Sequence, residues 1–278
     1  MYLRFLSNEL WKLFGKKRTY MGFAVFVLAQ NAMLFAFHFS KWEVQVQRLL
    51  ESNGHVGSEF ISALTVSVVM LIPQALLLMP LFTTLVGGDI VAKEVEDGTM
   101  RMILSRPVTR LELLAAKWTA GAVFCVLLAF ALGASALVFA LCWFPWKGMF
   151  VFVPDFVFGV LDSKTGFELY LGSQILCAIN AVTMFSLAFM FSCLNVKPAA
   201  ATIIALSFLF FSLVMHELPF FGDYQHWFLP HHFRNWILTY SQPTPWPRIA
   251  ESLFILFGYN ACTFIIGSAV LQSRDFKS

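Results

Sequence analysis

The chain has 278 residues, 59% of them hydrophobic and 13% charged, with a formal net charge of +3. A soluble domain carries about 25% charged residues, and no soluble core of this size could bury so much apolar surface; the composition excludes a soluble protein and marks an integral membrane one. The small charge, with basic residues grouped near membrane ends, speaks against a nucleic-acid partner.

Residues 2–18 have the pattern of an amphipathic helix. Leu3, Leu6, Leu10, Leu13 and Phe14 share one face; Arg4, Asn8, Glu9, Lys12 and Lys16 share the other. Placed before an apolar segment, such a helix is expected to lie in the membrane interface, with Lys12, Lys16, Lys17 and Arg18 toward anionic headgroups. Residues 20–39 are too long for a signal-peptide core and have no A-x-A pattern after them, so they form the first span. Residues 40–60 are polar, contain Ser52-Asn53-Gly54, and are expected to be a loop. The second span, 61–86, has Pro73-Gln74 at its centre and Pro80 beyond, which predicts a kink.

The third span covers 117–143. The apolar stretch 149–158 that follows is too short to cross and contains Pro154, which suggests an interfacial or re-entrant segment. Thr165 and Glu168 form a capping-box pattern opening the fourth span, 168–193. A five-residue link, 194–198, with Pro198 as a first-turn proline, makes the fifth span, 199–217, its antiparallel neighbour. A 31-residue loop rich in aromatics and histidines leads to the last span, 249–271. With six spans both termini share a side. That side carries 13 Lys and Arg against 6 on the other, so the positive-inside rule places both termini in the cytosol.

Between spans two and three lies an island, 89–117, holding ten of the 35 charged side chains. Asp89 to Asp97 continues the second span as a polar helix, and Gly98-Thr99 breaks it, Gly98 suiting a left-handed helix stop. Met100 to Leu104 gives a short helix ended by Ser105-Arg106-Pro107, and Thr109 with Glu112 is a capping box for the next helix. A short helix held between two span extensions moves with them and suits transmission of a push.

The run Glu94-Val-Glu96-Asp97-Gly98-Thr99, then Leu104-Ser-Arg106-Pro107-Val-Thr-Arg110, then Lys117, resembles the first cytoplasmic loop of type-2 ATP-binding-cassette (ABC) permeases. Arg106 stands where many members have an uncharged residue. The start with Glu9, Lys12 and Lys16-Lys17-Arg18 is similar to the family's elbow helix, and Ser273-Arg274-Asp275-Phe276 to its tail. The resemblance implies an all-α integral membrane fold, one permease domain of six transmembrane helices with an interfacial helix and a helical coupling loop. It implies the transmembrane subunit of an ABC transporter, usually an exporter, in the plasma or inner membrane, paired with a second permease chain in a homo- or heterodimer. Glu94, Glu96, Asp97, Gly98, Thr99, Leu104, Arg106, Pro107 and Arg110 would form the coupling surface for a separate ABC ATPase. That ATPase would bind ATP and magnesium; this chain has no G-x-x-x-x-G-K-[ST] and no cofactor of its own is expected.

Other features have plainer readings. Cys125, Cys142, Cys177, Cys193 and Cys262 lie in apolar runs without C-x-x-C spacing, as small buried hydrophobes. Trp143, Trp146, Trp227, Trp236 and Trp246 suit interfacial belts. Gln30, Asn31, Gln74, Gln174, Asn180 and Asn260 are intramembrane polar groups in need of partners, as interhelical hydrogen bonds or as a path lining. The pieces Phe228-x-x-x-His232 and His231-x-x-x-Asn235 resemble an intramembrane metalloprotease, but the only close glutamate pair, Glu94 and Glu96, is expected across the membrane. That enzyme, or a non-transporting membrane scaffold, is the alternative to a permease; no metal site is expected.

Overall fold

The computed structural model describes residues 2–40, 42–52, 59–104, 109–154 and 156–274. Among the described residues six helices are long and apolar enough to cross a membrane: α2 (Lys17–Phe39), the continuous unit Ala63–Glu96, α7 (Arg110–Trp143), α8 (Ser163–Cys193), α9 (Pro198–Glu217) and α12 (Trp246–Ser273). Ahead of them lies α1 (Tyr2–Phe14), and α3 (Trp42–Ser52) follows α2. The all-α membrane class is therefore right.

The second span is three pieces: α4 (Ala63–Pro73), a π-helical turn (Gln74–Leu78) and α5 (Met79–Glu96). Proline lacks a donor, and the chain absorbs the lost ladder bond by widening into a π turn, a form concentrated at functional places. At the place of the expected kink the helix changes type. Gln74 is turned inward by it and accepts from Gln30 Nε2 at 3.2 Å, which also reaches the Leu132 carbonyl at 3.1 Å.

Helix α5 and α8 form the centre. Ideal Cβ atoms at Gly87 and Gly88 would lie 2.6 Å from the Phe185 carbonyl oxygen and 2.3 Å from Thr202 Oγ1, so only glycine lets α5 approach α8 and α9 this closely. Ser192 Oγ accepts from the Val91 and Ala92 amides at 3.1 and 2.9 Å, a second tie between α5 and α8. A polar chain, Trp118 Nε1 to Ser186 Oγ (2.9 Å), Ser186 to Asn260 Oδ1 (2.6 Å) and Asn260 Nδ2 to Thr183 Oγ1 (2.9 Å), joins α7, α8 and α12. Asn31 bonds the Val27 carbonyl within its own helix and Asn180 the Phe233 carbonyl; Gln174 Nε2 is buried without a partner among the described residues.

Several expectations change. Residues 42–52 are helical, not loop: Val46 is partly buried and Leu50 fully buried, the i, i+4 spacing of a helix resting on its neighbours; Asn53 and Gly54 lie outside the described residues. The apolar stretch 149–158 belongs to an antiparallel hairpin, β1 (Met149–Val153) and β2 (Val157–Leu161), registered from Met149↔Leu161 to Val153↔Val157. Two five-residue runs rich in Val and Phe around Pro154 satisfy their backbones by pairing, and the Phe150 amide donates to Thr65 Oγ1 at 2.9 Å. The fourth span begins at Ser163, not at a Thr165 capping box: Asp162 is the N-cap and accepts from the Lys164 and Thr165 amides. The histidine-rich connection is also folded, as a 3₁₀ helix (Pro219–Trp227), α10 (Leu229–Phe233) and α11 (Asn235–Leu238). Trp236 there is buried (3% exposed) rather than a belt residue, and Cys142 and Cys262 are exposed on span surfaces.

Replacing Gly87 by Leu should lower stability by about 1–3 kcal/mol, because backbone lies where the side chain must go. Thermal unfolding in detergent checks this, and a matching change at Gly258, where an added Cβ meets nothing within 4 Å, should leave the midpoint in place.

Candidate functional site

The helical start, the island and the tail meet at one end of the bundle. Helix α1 stops at Phe14, and Lys16 is the N-cap of α2, so Lys17 and Arg18 begin the first span rather than ending the amphipathic helix. Phe14, Phe23, Phe82 and Phe124 form an aromatic cluster with centroids 5.4–6.5 Å apart that seats α1 against α2, α5 and α7.

Over this cluster stands a charged knot. Lys117 on α7 is fully buried, with its Nζ 2.9 Å from Glu9 Oε2 of α1 and 2.8 Å from Glu94 Oε2 of α5. The first contact is a directed hydrogen bond; the second is an ion pair without that alignment. Lys12 closes the ring, donating to Glu9 Oε1 at 2.7 Å and to Glu94 Oε1 at 3.0 Å. Arg18 and Asp89 pair at 2.6 Å one helix turn toward the membrane. Two lysines and two glutamates thus balance at the junction of three elements. A buried lysine costs several kcal/mol in desolvation, so its two counter-charges are a condition of its being there.

On α1 the polar-face residue Glu9 is 3% exposed and points into the protein, while Leu3 and Trp11 are exposed at 76% and 78%. The apolar face does pack inward through Leu6, Leu10, Leu13 and Phe14, so α1 buries one carboxylate alongside its hydrophobic stripe because Lys117 demands a partner. Burial pushes the Glu9 carboxyl upward, and Lys117 and Lys12 outweigh it, leaving the group below its usual value of 4.5. The same pairs hold Lys12 above the usual lysine value against its burial. Lys16 is different: burial lowers it. A cleft of about 360 Å³ beside the knot is bordered by Lys12, Lys16, Asp89, Lys93 and Asp97.

The expected coupling residues divide into groups. Glu94 faces inward into the knot. Glu96, Asp97 and Gly98 are exposed, and Gly98 has φ +71°, the left-handed stop its sequence implied. Thr99 Oγ1 donates to the Glu94 carbonyl at 3.2 Å and opens α6 (Thr99–Leu104), whose Met100 is buried and Met102 exposed at 67%. The Leu104 side chain, Arg106 and Pro107 lie outside the described residues. Thr109 and Glu112 form the expected reciprocal capping box at the start of α7. The Arg110 guanidinium donates to the carbonyls of Leu271, Gln272 and Arg274 at 2.8–3.0 Å, capping the C-terminus of α12. Arg274 in turn reaches the Leu194 carbonyl at 3.2 Å and Asn195 Oδ1; Asp275 and Phe276 lie outside the described residues.

Lys117 is the central residue that pattern alone underrates. It closes the sequence motif, but only a lysine at an apolar helix flank, in need of two carboxylates, signals that Glu9 is its partner.

At the other end, His232 is held by structural bonds. Its Nε2–H donates to the His226 carbonyl and its Nδ1 accepts from Ser252 Oγ, both at 2.9 Å. Burial lowers both histidines, His231 to about 4, further depressed by His232, Arg248 and His216. Glu94 belongs to the knot, not to this segment. Among the described residues no three His, Cys, Asp or Glu side chains gather at one point.

A family model described as ABC-2 family transporter protein matches residues 14–245. The chain belongs to that family, and is a multi-pass transmembrane subunit of an ABC transporter. No curated protein matches the sequence.

Lys117→Met removes the buried cation between Glu9 and Glu94, leaving them the half-exposed Lys12, and should cost about 3–5 kcal/mol, whereas adding Glu9→Gln and Glu94→Gln should recover part of it. Chemical unfolding of the single and triple variants checks the difference. The depressed Glu9 carboxyl adds stability that is present above pH 4.5 and lost as pH falls through its folded value. The stability gap between the parent and Glu9→Gln should therefore be flat near neutrality and narrow only in acid.

Proposed function

We propose that this chain is an exporter permease in which the Glu9–Lys117–Glu94 knot makes α1, α5 and α7 one unit, moved by a separate ATPase that seats on the island. The observation that carries the reading is the knot itself. A fully buried lysine tied to two other helices transmits displacement of α5 and α6 to the span α7 and to α1 without slack. The docking surface is the exposed corner Glu96-Asp97-Gly98 together with Met102 on α6. Glu94, Lys117 and Glu9 stand behind it as positioning residues, and Arg110 fixes the end of α12 to the same frame.

In this reading the island and both termini are cytosolic, which the 13 to 6 distribution of Lys and Arg supports, and the membrane is the plasma or inner membrane. ATP and magnesium belong to the ATPase. A second permease chain completes the assembly, and lipid contacts the outward face of α1 at Leu3 and Trp11.

Glu96→Lys together with Asp97→Lys should abolish or reduce at least tenfold the co-purification of the ATPase subunit, while the permease keeps its thermal midpoint. Co-purification at parental levels would sink the docking assignment. Lys117→Met should instead retain ATPase binding and lose the coupling of hydrolysis to transport in reconstituted vesicles.

A further inference from the structure

Far from the knot, a cavity of about 500 Å³ opens among α4, the π turn, the β1–β2 turn, α9, α10 and α11. Its volume falls in the range of small-molecule sites, about 300–1,000 Å³. It is enclosed by elements of this one chain. Two features give it a direction. On α9, Leu209, Leu213 and Glu217 are spaced i, i+4, i+8, a straight stripe about 12 Å long that passes from buried apolar to charged. At the charged end Glu217 Oε1 meets both Arg234 and, at 3.2 Å, His216 Nδ1, which leaves Oε2 for a ligand; Glu217 and Arg234 border the cavity, their side chains 62% and 41% exposed. The opposite wall is apolar, with Ile72 at the end of α4, Ala75 in the π turn, and Trp236 and Ile237 on α11. Leu76 beside the cavity is 46% exposed, and Phe210, Phe211 and Val214 make the neighbouring outer surface of α9 apolar.

An apolar slot ending in one acid and one base complements a molecule with a chain and a zwitterionic head. We propose that this cavity binds one zwitterionic glycerophospholipid of the phosphatidylethanolamine type, with an acyl chain along Leu209 and Leu213 and its headgroup across Glu217 and Arg234. The phosphate accepts from the Arg234 guanidinium, whose planar fork suits it, and the primary ammonium donates to the Glu217 carboxylate. A choline head has no N–H to donate to Glu217, and a glycerol head has no cation for it. The site therefore separates lipids by headgroup rather than by chain. The π turn serves this by carrying Ala75 and Leu76 to the cavity while Gln74 remains inside with Gln30.

Nothing here rests on the coupling reading, and either can fail without the other. The test is native mass spectrometry of the full chain in detergent, titrated separately with phosphatidylethanolamine, phosphatidylcholine and phosphatidylglycerol. One phosphatidylethanolamine per chain should be retained, about tenfold more tightly than the other two, as expected for one charged hydrogen bond gained. Arg234→Gln and Glu217→Gln, both at exposed positions and each checked for an unchanged thermal midpoint, should each remove the headgroup preference, and Leu213→Trp should remove the bound lipid. Phe220→Ala, on a side chain 87% exposed and away from the cavity, should change nothing. Equal retention of all three lipids, or retention unaffected by Glu217→Gln and Arg234→Gln, would overturn the proposal. So would rapid disulfide formation between two copies of Leu213→Cys in the membrane, which would make this face a contact between chains.

Discussion

A lysine with no exposed surface cannot be left alone at the edge of a membrane, and Lys117 sets the terms on which this end of the protein is assembled. Its ammonium needs two carboxylates. One comes from α5, where Glu94 lies on the extension of the second span, and the other from α1, a helix that would otherwise have every reason to lie flat on the membrane. The cost of separating these charges couples three elements that the aromatic cluster of Phe14, Phe23, Phe82 and Phe124 has already brought together. Hydrophobic contact alone would permit sliding; a charge with fixed partners does not.

The remaining structure works to keep that junction in register. Gly87 and Gly88 allow α5 to approach α8 and α9 closely, immediately before Asp89 and its Arg18 partner. Ser192 binds two amides of α5 just before the knot begins. Arg110 caps α12, and Arg274 continues the connection to the turn between α8 and α9. The ends of α5, α7, α8 and α12 are therefore fastened to each other by polar groups at one end of the bundle. The island presents an exposed corner, Glu96 to Gly98, with α6 beyond it.

Much of the spanning architecture was legible, because runs of about twenty apolar residues have few alternatives in a bilayer. The break at Gly98 and the box at Thr109 were legible for the same local reason: each rests on a residue type that few others can replace. What periodicity could not supply was partnership. Glu9 sits on the polar face of α1 whether that face meets headgroups or Lys117, and Arg110 has the same local sequence whether it meets an ATPase or the carbonyls of α12. The hairpin at 149–161 was hidden for a related reason. Two Val- and Phe-rich runs look like interfacial sequence until their pairing is seen. At Pro73 the sequence implied a disturbance but not the π turn by which it is accommodated.

The central claim is that α1 and the island move as one body. It is tested most directly by pulsed electron–electron resonance distances in the permease–ATPase complex. Spin labels would be attached at Trp11→Cys and Asp97→Cys, with the exposed Cys142 and Cys262 replaced by serine. Through the ATP cycle, the distance from position 11 to position 97 should stay within the width of its resting distribution, while the distance from position 97 to a label at Ile203 on α9 changes. A nucleotide-dependent change between positions 11 and 97, with the distance to position 203 constant, would contradict the account.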